Sequence, residues 1–310
     1  MAISTVSNKK NKIINIDKLS LKVTNWDKIY FPEDHISKGD VVAYYDGIFK
    51  YIHPYLKDRP QSLKRNPDGI LSKGFFQKDA PENTPEWVKT FRIFSVSVDR
   101  DTNYIICNDK ATLLYLNNLG CIEINTWFSR IQHLYNPDYM VIDIDPSSDN
   151  TFNEVIDVAL AVKQILDKAM VDSFCKTSGA TGLHIYVPLG AKYTFDIVKS
   201  FAKKIALLTH QLVVHTTSLE RSLHKRGNKI YIDYLQNSRG QTLVIPYSLR
   251  PRSGAPISAP LLWSEVKYGL HPMQFNLKTI NIRLNKMGDI FSGVLGRGID
   301  LNKSQRLLNE

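Results

Sequence analysis

Cysteine is scarce. The chain has three in 310 residues, Cys107, Cys121 and Cys175, far apart and without a CxxC pair. An odd number at such spacing argues against a disulfide framework and against a zinc knuckle. Cys121 and Cys175 sit in apolar context and read as small core residues. Long apolar runs are missing too: none reaches the roughly 18 residues that a membrane span needs. The N-terminus lacks an apolar signal core, so the expected location is cytoplasmic. Acidic residues are outnumbered, with 30 Asp and Glu against 40 Lys and Arg and a net charge of +10. That excess points to a polyanionic partner, most often nucleic acid, although scattered surface lysines give the same sum. There is no internal repeat, and no low-complexity segment beyond a polar stretch at residues 1–16 with a KKNK run, which reads as a disordered basic arm.

Strand and helix patterns alternate irregularly along the rest of the chain, which favours an α+β fold over a strict βαβ series. Val41, Tyr44, Tyr45, Ile48 and Phe49 recur at helical steps behind Gly39 and Asp40. "RPQSLKRNPDGI" reads as a strand and a turn at Pro67-Asp68-Gly69. "KATLLYLNNLG" reads as a helix stopped by Gly120. The clearest helix follows residue 150. Thr151 and Glu154 form a capping box, and Val155, Val158, Val162, Ile165, Leu166 and Ala169 make its buried stripe.

The chemistry gathers around "YMVIDIDPSS". Side chains alternate along a strand, so Met140, Ile142 and Ile144 point one way, while Val141, Asp143 and Asp145 point the other. Pro146 ends the strand. Two carboxylates held this close repel, and a divalent cation relieves the repulsion. A DxD strand also occurs in haloacid-dehalogenase-type phosphatases and in metal-dependent glycosyltransferases. A third carboxylate, Asp233, ends the short apolar strand "KIYID". Three strand-borne carboxylates suit a site for two metals ~4 Å apart, serving phosphoryl or nucleotidyl transfer. Mg²⁺ and Mn²⁺ both favour such oxygen ligands.

Features that favour anions lie nearby in the sequence. In "KTSGATGLHIY", Ser178, Gly179 and Gly182 form a turn whose amides can approach a phosphate, and His184 can donate to one. Lys225, Arg226 and Lys229 precede Asp233, and Arg250 and Arg252 follow it. Metal-binding carboxylates beside a phosphate-binding turn and arginines fit a nucleoside triphosphate site.

Taken in order, "NWDKIYFPEDHISKGD", "RPQSLKRNPDGI", "GFFQKDAPE", "NLGCIEINTW", "DIDP", "KTSGATGLHIYVPL", "YIDYLQN" and "PYSLRPR" resemble the polymerase domain of bacterial ligase D, a member of the archaeo-eukaryotic primase superfamily. The resemblance runs from about residue 20 to 301. It implies a primase-polymerase fold with mostly antiparallel central sheets, an RRM-like catalytic part and flanking helices. One domain would span 17–310, with a part binding DNA and a 5′-phosphate first and a catalytic part from about residue 120. The implied activity is template-dependent extension of 3′-hydroxyl ends at breaks and short gaps in nonhomologous end joining, with Mn²⁺ or Mg²⁺ as cofactors and ribonucleotides preferred over deoxyribonucleotides.

The resemblance also implies residue roles. Asp143, Asp145 and Asp233 would be catalytic metal ligands. Lys64, Phe76, Asn125, Ser178, Gly179, His184, Arg226, Gln236 and Arg250 would hold the incoming nucleotide, with Phe76 stacking on its base. Phe75 and Arg65 would face the DNA, and Asn25, Lys28 and Lys38 would grip the 5′-phosphate across a gap. Taken without the resemblance, Phe75 and Phe76 read as core aromatics and the lysines as a solvated face. Two positions depart from the pattern: Asn125 stands where His is frequent, and Thr181 where Lys or Arg is frequent. Asn cannot carry a positive charge. DNA with gaps or 3′ overhangs and a 5′-phosphate, nucleoside triphosphate, a Ku-type protein and a ligase are the implied partners, and the location becomes nucleoid-associated. A primase of the same fold and a non-catalytic module that holds DNA ends remain the alternatives.

Overall fold

A computed structural model describes residues 10–95 and 99–310. A hairpin of β1 (Lys12–Ile16) and β2 (Leu19–Val23) opens the chain, followed by the small pair β3 (Ile29–Phe31) and β4 (Ile36–Ser37). The arm expected over 1–16 is therefore corrected for residues 12–16, and residues 1–9 lie outside the described residues. Asp17, at φ 50°, turns the chain so that β1 pairs back on β2, and half-buried Ile14 and Ile16 pack against the core.

Helices α1 (Lys38–Gly47) and α2 (Phe49–Leu56) come next. Ser37 caps α1 in a reciprocal capping box with Asp40. Val41, Tyr44, Tyr45 and Ile48 are buried, as their spacing predicts. Strands β5 (Gln61–Arg65) and β6 (Phe75–Gln77) precede the hairpin of β7 (Thr90–Ser95) and β8 (Arg100–Ile105). Then come α3 (Lys110–Asn118), β9 (Cys121–Trp127) and the carboxylate strand β10 (Tyr139–Asp145). The chain continues with α4 (Phe152–Lys168), β11 (Phe174–Thr177), β12 (Leu183–Pro188), α5 (Phe195–Leu212), β13 (Thr217–Ser218), α6 (Leu223–Arg226) and β14 (Ile230–Asp233). Strands β15 (Thr242–Val244) and β16 (Pro260–Leu261) and helices α7 (Ile280–Met287) and α8 (Leu301–Leu307) complete it.

Two sheets matter for the site. One has six strands in the order β13-β14-β10-β12-β11-β16; the other has four, β15-β9-β5-β6. Nearly all pairings are antiparallel, β13 with β14 being the parallel one. The α+β architecture inferred from the mixed element order is the one observed.

Helices α4 and α5 pack together and on the six-stranded sheet. Thr151 and Glu154 form the expected reciprocal box, and the α4 stripe is buried. The sheet face under the helices carries Met140, Ile142, Ile144, Leu183 and Ile185, all fully buried. Apolar burial on this face leaves the opposite face free to carry charge. All three cysteines are free and buried, so none takes part in a disulfide.

Ile142→Ala tests this division of labour. It removes buried methyl groups beneath the helices without touching a charged group, and should cost about 2–5 kcal/mol of stability. Denaturant unfolding measures this; a loss well under 1 kcal/mol would mean the helix face is not the core of this half.

Candidate active site

Antiparallel register places side chains of directly opposed residues on one face. Across the six-stranded sheet Asp233 opposes Asp143, Asp143 opposes His184, and His184 opposes Lys176. The face away from the helices thus carries a row of four ionisable groups from four strands. Asp145 lies two residues beyond Asp143 on the same face.

The second sheet contributes a shorter row, in which Phe76 opposes Lys64 and Lys64 opposes Glu123. The Lys64 ammonium lies 4.7 Å from the Phe76 ring centroid. Arg250 ties the two sheets together: its guanidinium lies 2.9 Å from the Glu123 carboxylate and donates to the Ser178 carbonyl at 2.9 Å. Between the rows is a cleft of about 270 Å³ whose wall includes Phe76, Asn125, Asp143, Asp145, His184 and Arg250. A larger cleft of about 660 Å³ adjoins it, sharing Ala180, Thr181 and Arg252.

Burial, and then the carboxylates of Asp233 and Asp145, push the Asp143 carboxyl up to about 8. Burial also raises Asp233, against the pull of hydrogen bonds from the Leu235 amide, Tyr231 and Gln236. Asp145 is half-exposed and accepts from Arg226 at 3.2 Å. Among the described residues no three His, Cys, Asp or Glu side chains are already gathered around one point as a metal cluster. Asp145 is turned to Arg226, and Asp233 to Tyr231, Leu235 and Gln236. The donor set nevertheless fits a hard divalent cation. Two carboxylates in direct register, one of them mostly buried, carry a mutual repulsion that a cation on their oxygens removes.

The glycine turn is built as its sequence requires. Ser178 Oγ accepts from the amides of Ala180 and Gly182 at 3.1 and 3.0 Å. Gly179 has φ +70°, and a Cβ there would lie 2.7 Å from Arg250 Cγ and 2.9 Å from the Ser258 nitrogen. Thr181 sits exposed at the turn. Asn125 is buried and donates to Ser62 O and Glu123 Oε1.

The remaining sequence-derived residues are placed as follows. Phe75 and Phe76 are 47% and 60% exposed, so the reading of these aromatics as core is corrected. Strand β6 lies at the edge of its sheet and projects them outward. Arg226 is buried on α6, 4.4 Å from the Tyr231 ring centroid and beside Asp145. Gln236 donates to Asp233 at 3.2 Å.

Asn25, Lys28 and Lys38 cluster elsewhere. Backbone bonds from Lys28 N to Asn25 O and from Lys38 N to Lys28 O draw the three together. The solvated-face reading is corrected for Lys38, which is 3% exposed. Its ammonium donates to Asn118 O at 2.7 Å, Asn118 Oδ1 at 2.8 Å and Thr24 Oγ1 at 3.3 Å. Burial, and then Lys28, push it down to about 8. Arg65 donates to Leu119 O at 2.8 Å and to Gln77. Both cations thus sit on carbonyls at the end of α3, where positive charge is favoured. Lys28 pairs with Asp68 on the surface.

Glu123, Lys176 and Ser258 belong to the site and were not singled out from the sequence. A signal existed for two of them: Glu123 and Lys176 are the charged residues of strands that carry no other charge.

These features, carboxylates in register on an antiparallel sheet facing a glycine turn and arginines, define a nucleotidyltransferase-type polymerase of the primase-polymerase class. The comparisons make the assignment specific. Residues 37–291 match the family described as LigD, primase-polymerase domain. The chain belongs to that family. It is 34% identical over 269 residues to the bifunctional non-homologous end joining protein LigD of Bacillus subtilis (strain 168), covering 86% of this chain and 43% of the relative. It is 26% identical over 275 residues to the multifunctional LigD of Mycolicibacterium smegmatis, covering 88% and 36% respectively. The chain therefore spans less than half the length of these relatives. The polymerase domain from Mycobacterium tuberculosis ligase D, solved in complex with DNA, superposes with a TM-score of 0.83 at 25% identity, covering 90% of this chain and 99% of that one. Among the described residues no helix is long and apolar enough to cross a membrane.

Gly179→Ala should strain the turn, at about 1–3 kcal/mol for a non-glycine residue held in a disfavoured backbone region. The denaturation midpoint reads this directly; an unchanged midpoint would mean the turn relaxes without cost.

Proposed function

We propose that the chain is a template-dependent polymerase that adds nucleotides to DNA 3′-hydroxyl ends at breaks and short gaps during end joining. The observation that carries this reading is the register of Asp143 against Asp233 on the face that meets the glycine turn and Arg250. Asp143, Asp145 and Asp233 would hold divalent cations, Mn²⁺ or Mg²⁺. Bound there, a metal would lower the pKa of an attacking hydroxyl and offset charge on the leaving pyrophosphate.

The chain's own residues do the rest. Arg250, Arg226 and the Ser178–Gly182 turn would hold triphosphate oxygens, supplying fixed donors where charge develops. His184 and Gln236 would donate to the same group, Gln236 also bonding Asp233, and Lys64 and Phe76 would support and stack the incoming base. Asn125 would meet the sugar and favour ribonucleotides. Phe75 and Arg65 would face the DNA strand. The net positive charge supports attraction to the DNA backbone in a cytoplasmic, nucleoid-associated setting. A Ku-type protein and a ligase are the proposed partners in joining.

Two experiments test this. Primer extension on a gapped duplex, comparing ATP with dATP in Mn²⁺ and in Mg²⁺, should show extension by the wild type, faster with ATP. Asp145→Ala should abolish it while leaving DNA binding nearly intact. Extension at wild-type rate by that variant refutes the assigned role of Asp145, and equal rates with ATP and dATP refute the sugar preference.

The second experiment concerns the gap. Asn25, Lys28 and Lys38 would distinguish a terminal 5′-phosphate, which carries more charge than an internal one. Asp68 must then yield Lys28 to the phosphate, and Lys38 must exchange one of its Asn118 or Thr24 contacts for it. A charge-assisted contact of roughly 1.5–3 kcal/mol gives a preference of about tenfold or more over a 5′-hydroxyl gap. Lys28→Ala should lose most of it in a binding titration. Equal binding of both gaps by the wild type contradicts the assignment.

A further inference from the structure

The row Asp233–Asp143–His184 continues one strand further, to a lysine sealed inside the protein. Lys176 is fully buried. Its Nζ lies 2.8 Å from His184 Nδ1 and 2.6 Å from Ser258 Oγ, with the Tyr186 ring centroid 5.5 Å away. On the other side of the imidazole, Nε2 lies 3.3 Å from Asp143 Oδ1. An unbroken line of polar contacts thus joins Ser258, Lys176, His184 and Asp143.

With Lys176 charged and Asp143 ionised, one direction of donation along this line satisfies every group. Ser258 Oγ lies 2.7 Å from the Thr177 carbonyl, which can only accept, so the one hydroxyl proton is spent there. Ser258 Oγ must then accept from Lys176. A second Lys176 proton points at His184 Nδ1, which accepts with its lone pair, so the proton of the neutral ring resides on Nε2 and faces the Asp143 carboxylate. The reverse arrangement puts a proton on Nδ1 and a bare lone pair on Nε2. That lone pair would confront carboxylate oxygens that, when ionised, are acceptors only.

We propose that Lys176 is a positioning residue: anchored by Ser258, it fixes His184 as the Nε2–H tautomer, so that the imidazole serves the site as a hydrogen-bond donor and not as a metal ligand. A metal ligand needs a lone pair, and in this tautomer the one lone pair of the ring is occupied by Lys176. His184 then steadies the Asp143 carboxylate and offers its proton to an incoming anion. This separates its task from that of the carboxylates beside it. It also gives a reason for a buried lysine in a strand of the catalytic sheet, where an apolar residue would cost less to bury.

The tautomer part stands on the hydrogen-bond geometry with Lys176 charged and Asp143 ionised; the consequence for nucleotide binding rests on the polymerase reading. The test separates them. Long-range ¹H–¹⁵N correlation spectra of the ligand-free, ¹⁵N-labelled chain, with His184 assigned by His184→Gln, report which ring nitrogen carries the proton. The wild type should show one His184 tautomer, with the proton on Nε2 and Nδ1 shifted as a hydrogen-bond acceptor. A proton on Nδ1, or an Nδ1 shift of a nitrogen without a partner, overturns the proposal.

In Lys176→Met, which keeps the buried volume and removes the donor, the acceptor shift at Nδ1 should vanish and a second tautomer appear. The same spectrum as wild type would overturn the proposal. Ser258→Ala, a smaller change, should loosen His184 in the same direction; if Lys176→Met does not fold, an unaltered His184 spectrum in Ser258→Ala overturns the anchoring by Ser258. In primer extension, Lys176→Met should raise the KM for nucleoside triphosphate about tenfold or more, the scale of losing a residue that orients a site group, with DNA affinity unchanged. A wild-type tautomer as predicted, combined with no extension by the wild type on any primed template, would refute the polymerase reading and leave the Lys176 assignment intact.

Discussion

The site depends on the register of one strand, β10, against its neighbours β12 and β14. In an antiparallel sheet a slip of one residue moves every side chain to the other face. Such a slip would drive Asp143 and Asp145 under α4 and α5 and bring Ile142 and Ile144 out. The apolar residues beneath the helices therefore hold the register that lines up Asp233, Asp143, His184 and Lys176 on the opposite face. Stability and chemistry are written on alternate residues of the same seven-residue strand. This is why the core cannot tolerate a polar slip and the site cannot tolerate an apolar one.

In this half of the molecule burial works against charge and pairing works for it. Asp143 is raised by burial and by its carboxylate neighbours, while Lys176 and Arg250 lower it. Lys176 and His184 are themselves held well below their ordinary values, burial being the largest cause in each. Arg250 couples the sheets through Glu123 and the Ser178 carbonyl, so the second sheet takes part in the electrostatics of the first. The arrangement places fixed donors and concentrated negative charge on two walls of one cleft, which suits a polyanionic substrate accompanied by cations.

Much of this was legible in the sequence, because alternation and capping are local. The face of β10, the capped helix α4 and the glycine turn all follow from neighbouring residues. Contacts between distant segments were not legible. That Asp233 stands opposite Asp143 is a matter of register between strands some ninety residues apart. Ser258 meets Lys176 across a similar separation, and nothing local marks a serine among prolines and alanines as an anchor. Lys38 reads as one more surface lysine, yet it is buried and donates to Asn118 at the end of α3 and to Thr24. Strand β1 was obscured because its alternation is short and flanked by lysines and asparagines. Phe75 and Phe76 show the converse: apolar residues left exposed at a sheet edge, where composition alone says core and the family resemblance says otherwise.

Whether the carboxylate pair is a cation site can be measured without substrate. Mn²⁺ titration of the ligand-free chain by calorimetry, wild type against Asp143→Ala, reads it directly. Wild type should bind Mn²⁺, and the variant should bind at least about tenfold more weakly while keeping its fold, since even a residue that only supports a metal ligand is worth that much. Equal Mn²⁺ affinity in the two proteins, or no Mn²⁺ binding by the wild type with or without nucleoside triphosphate, would contradict the metal-dependent reading of the Asp143–Asp233 pair.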